Sequence, residues 1–299
     1  MTASGAPGEA SGGLSGATAG GRPDRTPGRE RLAWRGRGTL PWLLVPAGLA
    51  LAFLALPVLA LLLRALQSGA LASALAGRAV LDALVLSLSS TAMSLLLIVV
   101  LGMPLALVLA RTSFRGKALA EALVDLPIVL PPSVAGLALL FAFGRHGIAG
   151  EPLQLLGLSL PFTTLAVIVA QVFVAAPFFI RAARAGFRAV DVDIEEAARV
   201  DGASEAVLLG RITVPLAAPA LGAGLVLAWA RALGEFGATI LFAGNIEGRT
   251  QTLPLLVYSQ FQDSLDAALA AATILVLAAL GVLVAVRVLR WPTGLSWPS

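Results

Sequence analysis

Charged side chains inside long apolar stretches are the residues of this 299-residue sequence best placed to do chemistry. Arg231 and Glu235 lie four apart in the apolar run 217–243, a spacing that puts both on one helix face within reach of an ion pair. Charge at membrane depth is costly and faces a bundle interior or water. The pair therefore either pins a helix to its neighbours, or acts as a gate in which Arg231 offers its guanidinium to a passing dianion. Asp125 is a third such group, near the start of a run interrupted by Pro127, Pro131 and Pro132. It could neutralise a base such as Arg231, or cap a helix segment exposed at Pro127. Glu121, in the same run, is expected at the interface. Ser133, Thr239 and Asn245 carry hydrogen-bonding groups that suit a polar solute and equally suit contacts between helices in lipid.

Other chemistries fall away. Cysteine is absent and His146 is the one histidine, which excludes thiolate zinc sites, disulfides and cysteine nucleophiles and leaves no metal site. No Gly-x-Ser-x-Gly elbow occurs, so an intramembrane hydrolase fits poorly. The one lysine, Lys117, is not part of a Gly-x4-Gly-Lys-Ser/Thr phosphate loop. ATP and its Mg, if used, must therefore sit on another chain, and no cofactor is expected on this one.

The elements that position these residues are membrane spans. Hydrophobic residues make up 58% of the chain and charged residues 13%, and the mean hydropathy is +0.90. So little charge cannot cover a soluble fold of this length, which points to an all-α, multi-pass membrane protein. Residues 1–39 are rich in Gly, Pro, Ser, Thr and Arg and are expected to form a disordered tail, and 291–299 a short C-terminal one. Six apolar stretches lie between them in 40–290, at about 41–63, 81–110, 122–144, 161–180, 217–243 and 265–288. Each is long enough, at ~1.5 Å per residue, to cross a ~30 Å hydrocarbon layer. The third is expected to be broken at its prolines. Sixteen basic residues fall on one side of this arrangement and four on the other, so the richer side faces the cytoplasm together with both termini. Contact of the arginine-rich tail with anionic lipid is plausible on charge grounds. The net charge of +4 is modest, and no nucleic-acid partner is expected.

The longest cytoplasmic connector, 181–216, is also the most charged segment. From Ile194 to Leu209 it reads as two short amphipathic helices separated by Gly202, whose backbone freedom suits a helix stop. Val200, Ala203, Val207 and Leu208 present small apolar surfaces between Glu195, Glu196, Asp201, Glu205 and Arg211. Such a unit suits either docking into a groove of another protein or lying on the headgroups. Its acidic residues disfavour an anionic lipid surface.

Within this connector, Glu196-Ala197-Ala198, Gly202, Ile212 and Pro215 resemble the EAA motif of ABC importer permeases, Glu-Ala-Ala-x3-Gly-x9-Ile-x-Leu-Pro, with Val214 in the leucine position. The resemblance implies a type I importer permease of six transmembrane helices, whose loop carries coupling helices seated in a cleft of an ATP-binding cassette subunit. It further implies a homodimer in a bacterial cytoplasmic membrane, served by a periplasmic or lipid-anchored oxyanion-binding protein. The run Arg231-Ala-Leu-Gly-Glu-Phe-Gly-Ala-Thr239, followed by Ala243-Gly-Asn245, resembles the fifth-span signature of oxyanion permeases. Residues 248–255 and the third-span run Asp125–Gly136 are similar to the same group. The wording Glu235-Phe-Gly-Ala-Thr239 is most similar to molybdate permeases, with sulfate, thiosulfate and tungstate permeases as relatives. A proton-driven secondary transporter using Asp125 or Glu235 as carrier is the competing class; it leaves the EAA spacing unexplained, and no inverted repeat supports it.

Overall fold

The computed structural model describes residues 40–69 and 77–290, with side chains at 42–69 and 77–284. The expected tails 1–39 and 291–299 lie outside the described residues. The chain divides into two units, 1–53 and 54–299. The described part of the first is the opening half of helix α1 (Leu40–Ser68). There follow α2 (Arg78–Arg111), α3 (Lys117–Val129), α4 (Pro132–Phe143), α5 (Gly150–Leu155) and α6 (Thr164–Ala189). Helices α7 (Val192–Val200) and α8 (Glu205–Leu208) come next, then a π turn over Leu209–Thr213 that runs directly into α9 (Val214–Leu233). The described chain closes with α10 (Gly237–Phe242), α11 (Leu253–Asp263) and α12 (Leu265–Arg290). Every regular element described is helical.

Five helical segments are long and apolar enough to cross a membrane: 42–68, 78–111, 164–189, 205–233 and 265–284. The third expected stretch is broken, as its prolines imply. Pro131 forces Leu130 into extended backbone (φ −68°, ψ 133°), which ends α3, and Pro132 then opens α4 at a position where its missing N–H is no loss. The fifth expected stretch, 217–243, is also interrupted, and there the expectation of one continuous helix is corrected. Helix α9 stops at Gly234, and α10 restarts at Gly237. The fourth stretch extends further than expected, because α6 continues to Ala189 and takes in the first nine residues of the connector placed at 181–216. Helix α11 falls in a segment read only as an external connection.

Helix α6 is the axis of the second unit. Its Thr163 Oγ1 cap accepts the Ala166 N–H at 3.3 Å. Its buried stripe includes Ala175, Phe179, Ala183 and Phe187, packed with Ile98 and Leu109 of α2 and Ala217 and Ala228 of α9. Small residues bring α6 and α9 together: a Cβ placed on Gly186 would stand 2.6 Å from the Ala220 methyl, and one on Gly224 would stand 2.7 Å from that of Ala182. A second cluster joins Leu139 of α4, Val167 and Val174 of α6, and Ala238 and Phe242 of α10. A third gathers Ala83 of α2, Leu253 and Leu256 of α11, and Ala270 and Ile274 of α12.

A polar stripe supplements this packing. Ser87, Ser90, Thr91 and Ser94 of α2 are buried at helical spacing. Ser94 Oγ donates to Gln171 Oε1 of α6 at 2.9 Å, and Gln171 Nε2 donates to Thr91 Oγ1 at 3.3 Å. The Leu253 N–H, at the start of α11, donates to Ser87 Oγ at 2.7 Å. Such bonds between helices in lipid contribute about 0.6 kcal/mol each.

The two broken helices meet. A Cβ on Gly136 of α4 would lie 2.8 Å from the Ala238 carbonyl oxygen and 2.9 Å from the Ala238 Cα of α10, and backbone cannot swing aside as a side chain can. Gly136→Ala is expected to destabilise the protein by about 1–3 kcal/mol through overpacking. Gly281→Ala, in α12 with nothing within 4 Å of the new methyl, is the control and should leave stability level or raised. Thermal unfolding in detergent separates the two variants.

Candidate functional site

Two clusters of the expected site residues emerge, one at the helix breaks and one on the loop between α6 and α9.

At the breaks, Glu235 lies just past the end of α9 and is 2% exposed. Its carboxylate holds two partners. Oε1 accepts the Ala238 N–H at 2.7 Å, satisfying a free donor of the first turn of α10, and Oε2 is ion-paired with the Arg231 guanidinium one turn back. The pair expected from the i, i+4 spacing is present, although the helix ends between its members. Arg231 keeps 29% of its side chain open. Thr239 is buried in α10 with a hydroxyl that has no hydrogen-bond partner among the described residues, and Asn245 Oδ1 beyond α10 is likewise unpaired. Ser133 is exposed in the first turn of α4, next to Pro132, against which Gly237 packs. Arg231, Glu235, Thr239 and Ser133 thus gather where two helices are interrupted.

Asp125 does not join them. Its Oδ1 lies 3.7 Å from Arg181 Nε of α6, so of its two expected roles it takes that of neutralising a base, with Arg181 in place of Arg231. Glu121, one turn earlier on α3, pairs with Arg184 at 2.8 Å and Arg188 at 3.4 Å, a larger role than an interfacial acid. The two acids form a ladder with three arginines of α6. These groups are partly exposed, so each link is weak and the ladder acts as a set.

On the loop, the two expected helices are present. Asp191 Oδ1 caps α7 by accepting the Asp193 N–H at 3.0 Å, and Ser204 Oγ caps α8 by accepting the Val207 N–H at 3.4 Å. Gly202 sits between them at φ +88°, a left-handed conformation that any Cβ would strain. Arg199 spans the turn and grips Glu205 through Nε at 2.8 Å and Nη2 at 3.4 Å. The Glu205 carboxylate holds the Arg199 guanidinium above its ordinary value. Ile212 lies in the π turn, half-buried, and Pro215 opens α9.

The faces of α7 are inverted relative to an ordinary amphipathic helix. Glu196 and Ala197 are exposed, and Val200 is 87% exposed. Glu195 points inward and is 5% exposed, with half-buried Ala198 three residues on. Glu195 Oε1 accepts from Arg111 Nη2 at the end of α2 (2.8 Å) and from Thr213 Oγ1 in the π turn (2.7 Å). Sequence reasoning singled out Glu196 and passed over Glu195, Arg111 and Thr213. The available signal was the i, i+3 relation of Glu195 to Ala198, opposite the stripe of Ala197 and Val200.

Residues 98–288 match the family described as the inner membrane component of binding-protein-dependent transport systems. A Mycobacterium tuberculosis protein, "Molybdenum transport system permease protein ModB", is 45% identical over 212 residues, covering 71% of this chain and 80% of that one. The Escherichia coli K12 protein of the same name is 41% identical over 182 residues, 60% of this chain and 80% of its own. Among solved structures, a bacterial ABC transporter that imports the acidic polysaccharide alginate superposes with a TM-score of 0.68 at 19% identity, covering 86% of this chain and 96% of that one. A chain of the MetNI methionine ABC transporter gives 0.54 at 20% identity, covering 71% and 94%. The fold is that of ABC importer permeases, and the chain belongs to the family of binding-protein-dependent transport system inner membrane components, which are permease subunits rather than enzymes.

Proposed function

We propose that this chain is the transmembrane subunit of an ATP-driven importer of a tetrahedral oxyanion, molybdate, and that two copies of it line one translocation path. The observation carrying the substrate reading is the 45% identity to a molybdenum permease over 80% of that protein's length. Importer permeases of this family work with an ATPase and a binding protein. In this reading the ATPase holds ATP and Mg, and a periplasmic or lipid-anchored protein delivers the anion. This chain binds no cofactor. The five long segments supply five crossings, and consecutive α3 and α4 supply the sixth. The transmembrane domain is 40–290, and the arginine-rich end, with both termini, faces the cytoplasm of a bacterial cell.

The loop from α6 to α9 is then the coupling element. Val192, Ile194, Val200 and Val207 are exposed together on α7 and α8, an apolar patch that suits a partner surface, and exposed Glu196 beside Ala197 and half-buried Ala198 offers a carboxylate next to small side chains that permit close approach. Gly202 sets the angle between α7 and α8, and Ile212 and Pro215 carry the loop into α9.

Arg231 is the pathway group. A lone guanidinium would hold a dianion too firmly to release it, and the Glu235 carboxylate offsets its charge. Ser133 and Thr239, which stand at the two helix breaks, are the hydrogen-bond donors of the same path, whereas Asp125 acts from the α3–α6 ladder. Both candidate proton carriers, Asp125 and Glu235, are engaged by arginines, which counts against a proton-driven mechanism.

ATP hydrolysis by the reconstituted complex should rise when its binding protein carries molybdate or tungstate, which share size and charge, and not when it is offered sulfate. Stimulation by sulfate would move the substrate, and stimulation by none would overturn the oxyanion reading. Glu196→Ala and Gly202→Val should leave the chain inserted while ATPase assembly or transport is lost, as measured by co-purification and uptake; normal values in both would sink the coupling role. Arg231→Ala leaves Glu235 buried without its counter-charge and should lower thermal stability. Arg231→Ala with Glu235→Gln should recover stability while molybdate uptake stays down about tenfold, the scale of one lost charged hydrogen bond. Recovery of uptake along with stability would make the pair purely structural.

A further inference from the structure

Glu195 is an anomaly in this loop. Two adjacent glutamates occupy α7, and the one turned inward is the charged residue that a docking helix has least reason to bury. A buried carboxylate persists only where partners compensate its desolvation, and here they come from two distant segments. Arg111 ends α2, 84 residues earlier, and Thr213 closes the π turn, 18 residues later. One oxygen, Oε1, accepts from both, so three elements converge on one atom.

The surroundings give this atom leverage. Thr213 is 2% exposed and stands one residue before α9. The π turn joins α8 to α9 without a break in the helix, so the loop and the following span are one piece of chain. π turns carry an extra residue and mark places where a helix yields. A cavity of about 340 Å³ opens beside the junction, lined by Leu107, Arg111, Glu195, Arg199, Leu208 and Thr213 among others, and leaves room for the elements to shift. Among the described residues Arg111 Nε is buried there without a hydrogen-bond partner, and the guanidinium donates to Glu195 through Nη2.

We propose that Glu195 is a positioning residue for transport: through Oε1 it ties α7 to the π turn at Thr213 and to the end of α2 at Arg111, so that displacement of the docked loop is delivered to α9. The proposal rests on the coupling role given to this loop. Glu196 meets the ATPase, and Glu195 passes its movement to the spans. Thr213 matters through its hydroxyl, and Arg111 through the ion pair that holds Glu195 inward.

The test uses the full complex with its ATPase and molybdate-loaded binding protein in proteoliposomes, reading molybdate imported per ATP hydrolysed. Thr213→Val keeps the shape and removes the donor. It should lower this ratio roughly two- to tenfold, the range for one lost hydrogen bond, in a complex that still assembles. Thr213→Ser should restore the ratio. Glu195→Ala should lower it at least as far, and adding Thr213→Val to that variant should change nothing more, because both act through one bond. An unchanged ratio in Thr213→Val, or independent and additive losses, overturns the proposal. If Glu195→Ala fails to assemble, the Thr213→Val and Thr213→Ser pair decides alone. Failure here is distinct from failure of the coupling role: normal Glu196→Ala and Gly202→Val complexes remove that role, whereas damage in those two with normal Thr213→Val removes only the link through Glu195.

Discussion

A backbone in hydrocarbon must close its own hydrogen bonds, and this chain interrupts two helices within apolar sequence. Everything near Arg231 follows from how those interruptions are resolved. At the first, the prolines limit the loss, because Pro131 and Pro132 have no N–H to orphan, and the Ala135 N–H still reaches the Pro131 carbonyl at 3.0 Å. At the second there is no proline. The Gly234 and Glu235 N–H groups bond back to Ala230 and Ala232, both at 3.2 Å, and the Ala238 N–H is taken by the Glu235 side chain. A carboxylate in that position needs a counter-charge, and Arg231 is one turn away. The ion pair is thus the consequence of a broken helix, and the partly open guanidinium is what the break presents to its surroundings.

The same logic, reversed, governs the loop. In an ordinary surface helix the apolar stripe turns inward and charge turns outward. Helix α7 exposes Val200 and Ala197 and buries Glu195. This is unfavourable for the chain alone and sensible for a helix that spends its working life against another protein, with its inner face fastened to the membrane domain by a charged hydrogen bond. The inward anchor is stronger and more directional than an apolar contact of the same size, because a bond to an ionised group fixes angle as well as distance.

Much of this was legible in the sequence where a single residue type dictates backbone. Pro131 and Pro132 marked the first break, and Gly202 marked the turn between the loop helices, because proline and glycine restrict or widen φ wherever they stand. The second break was illegible: Gly234 and Gly237 sit in a run apolar enough to read as one helix, and the Arg231–Glu235 spacing fits a continuous helix as well as one that ends between them. Which base Asp125 neutralises was illegible, because Arg181 stands where the apolar run ends and reads as loop, whereas α6 stays helical to Ala189. Ser87, Ser90, Thr91 and Ser94 carry no signal of their own within an apolar helix, since small hydroxyl residues acquire meaning only opposite partners such as Gln171 and the Leu253 N–H. Glu195 and Glu196 differ in the sequence only by face, Glu195 sharing that of Ala198, and the convergence of Arg111 and Thr213 on Glu195 is visible only in the fold.

Long-range pairing of this kind also separates the two helices that leave the loop. Helix α6 is braced at its end: Glu121 and Asp125 of α3 face Arg181, Arg184 and Arg188, while Phe187 and Ala183 are fully enclosed. Helix α9 begins with a π turn beside a cavity and meets α6 along a seam of Gly186, Ala220, Gly224 and Ala182. Small side chains let the two backbones approach closely along this seam. A push applied to α7 and α8 therefore meets a fixed helix on one side and a yielding one on the other. Under the proposed coupling role, movement passes preferentially into α9, and Arg231, the group proposed to meet the anion, stands at the far end of that helix.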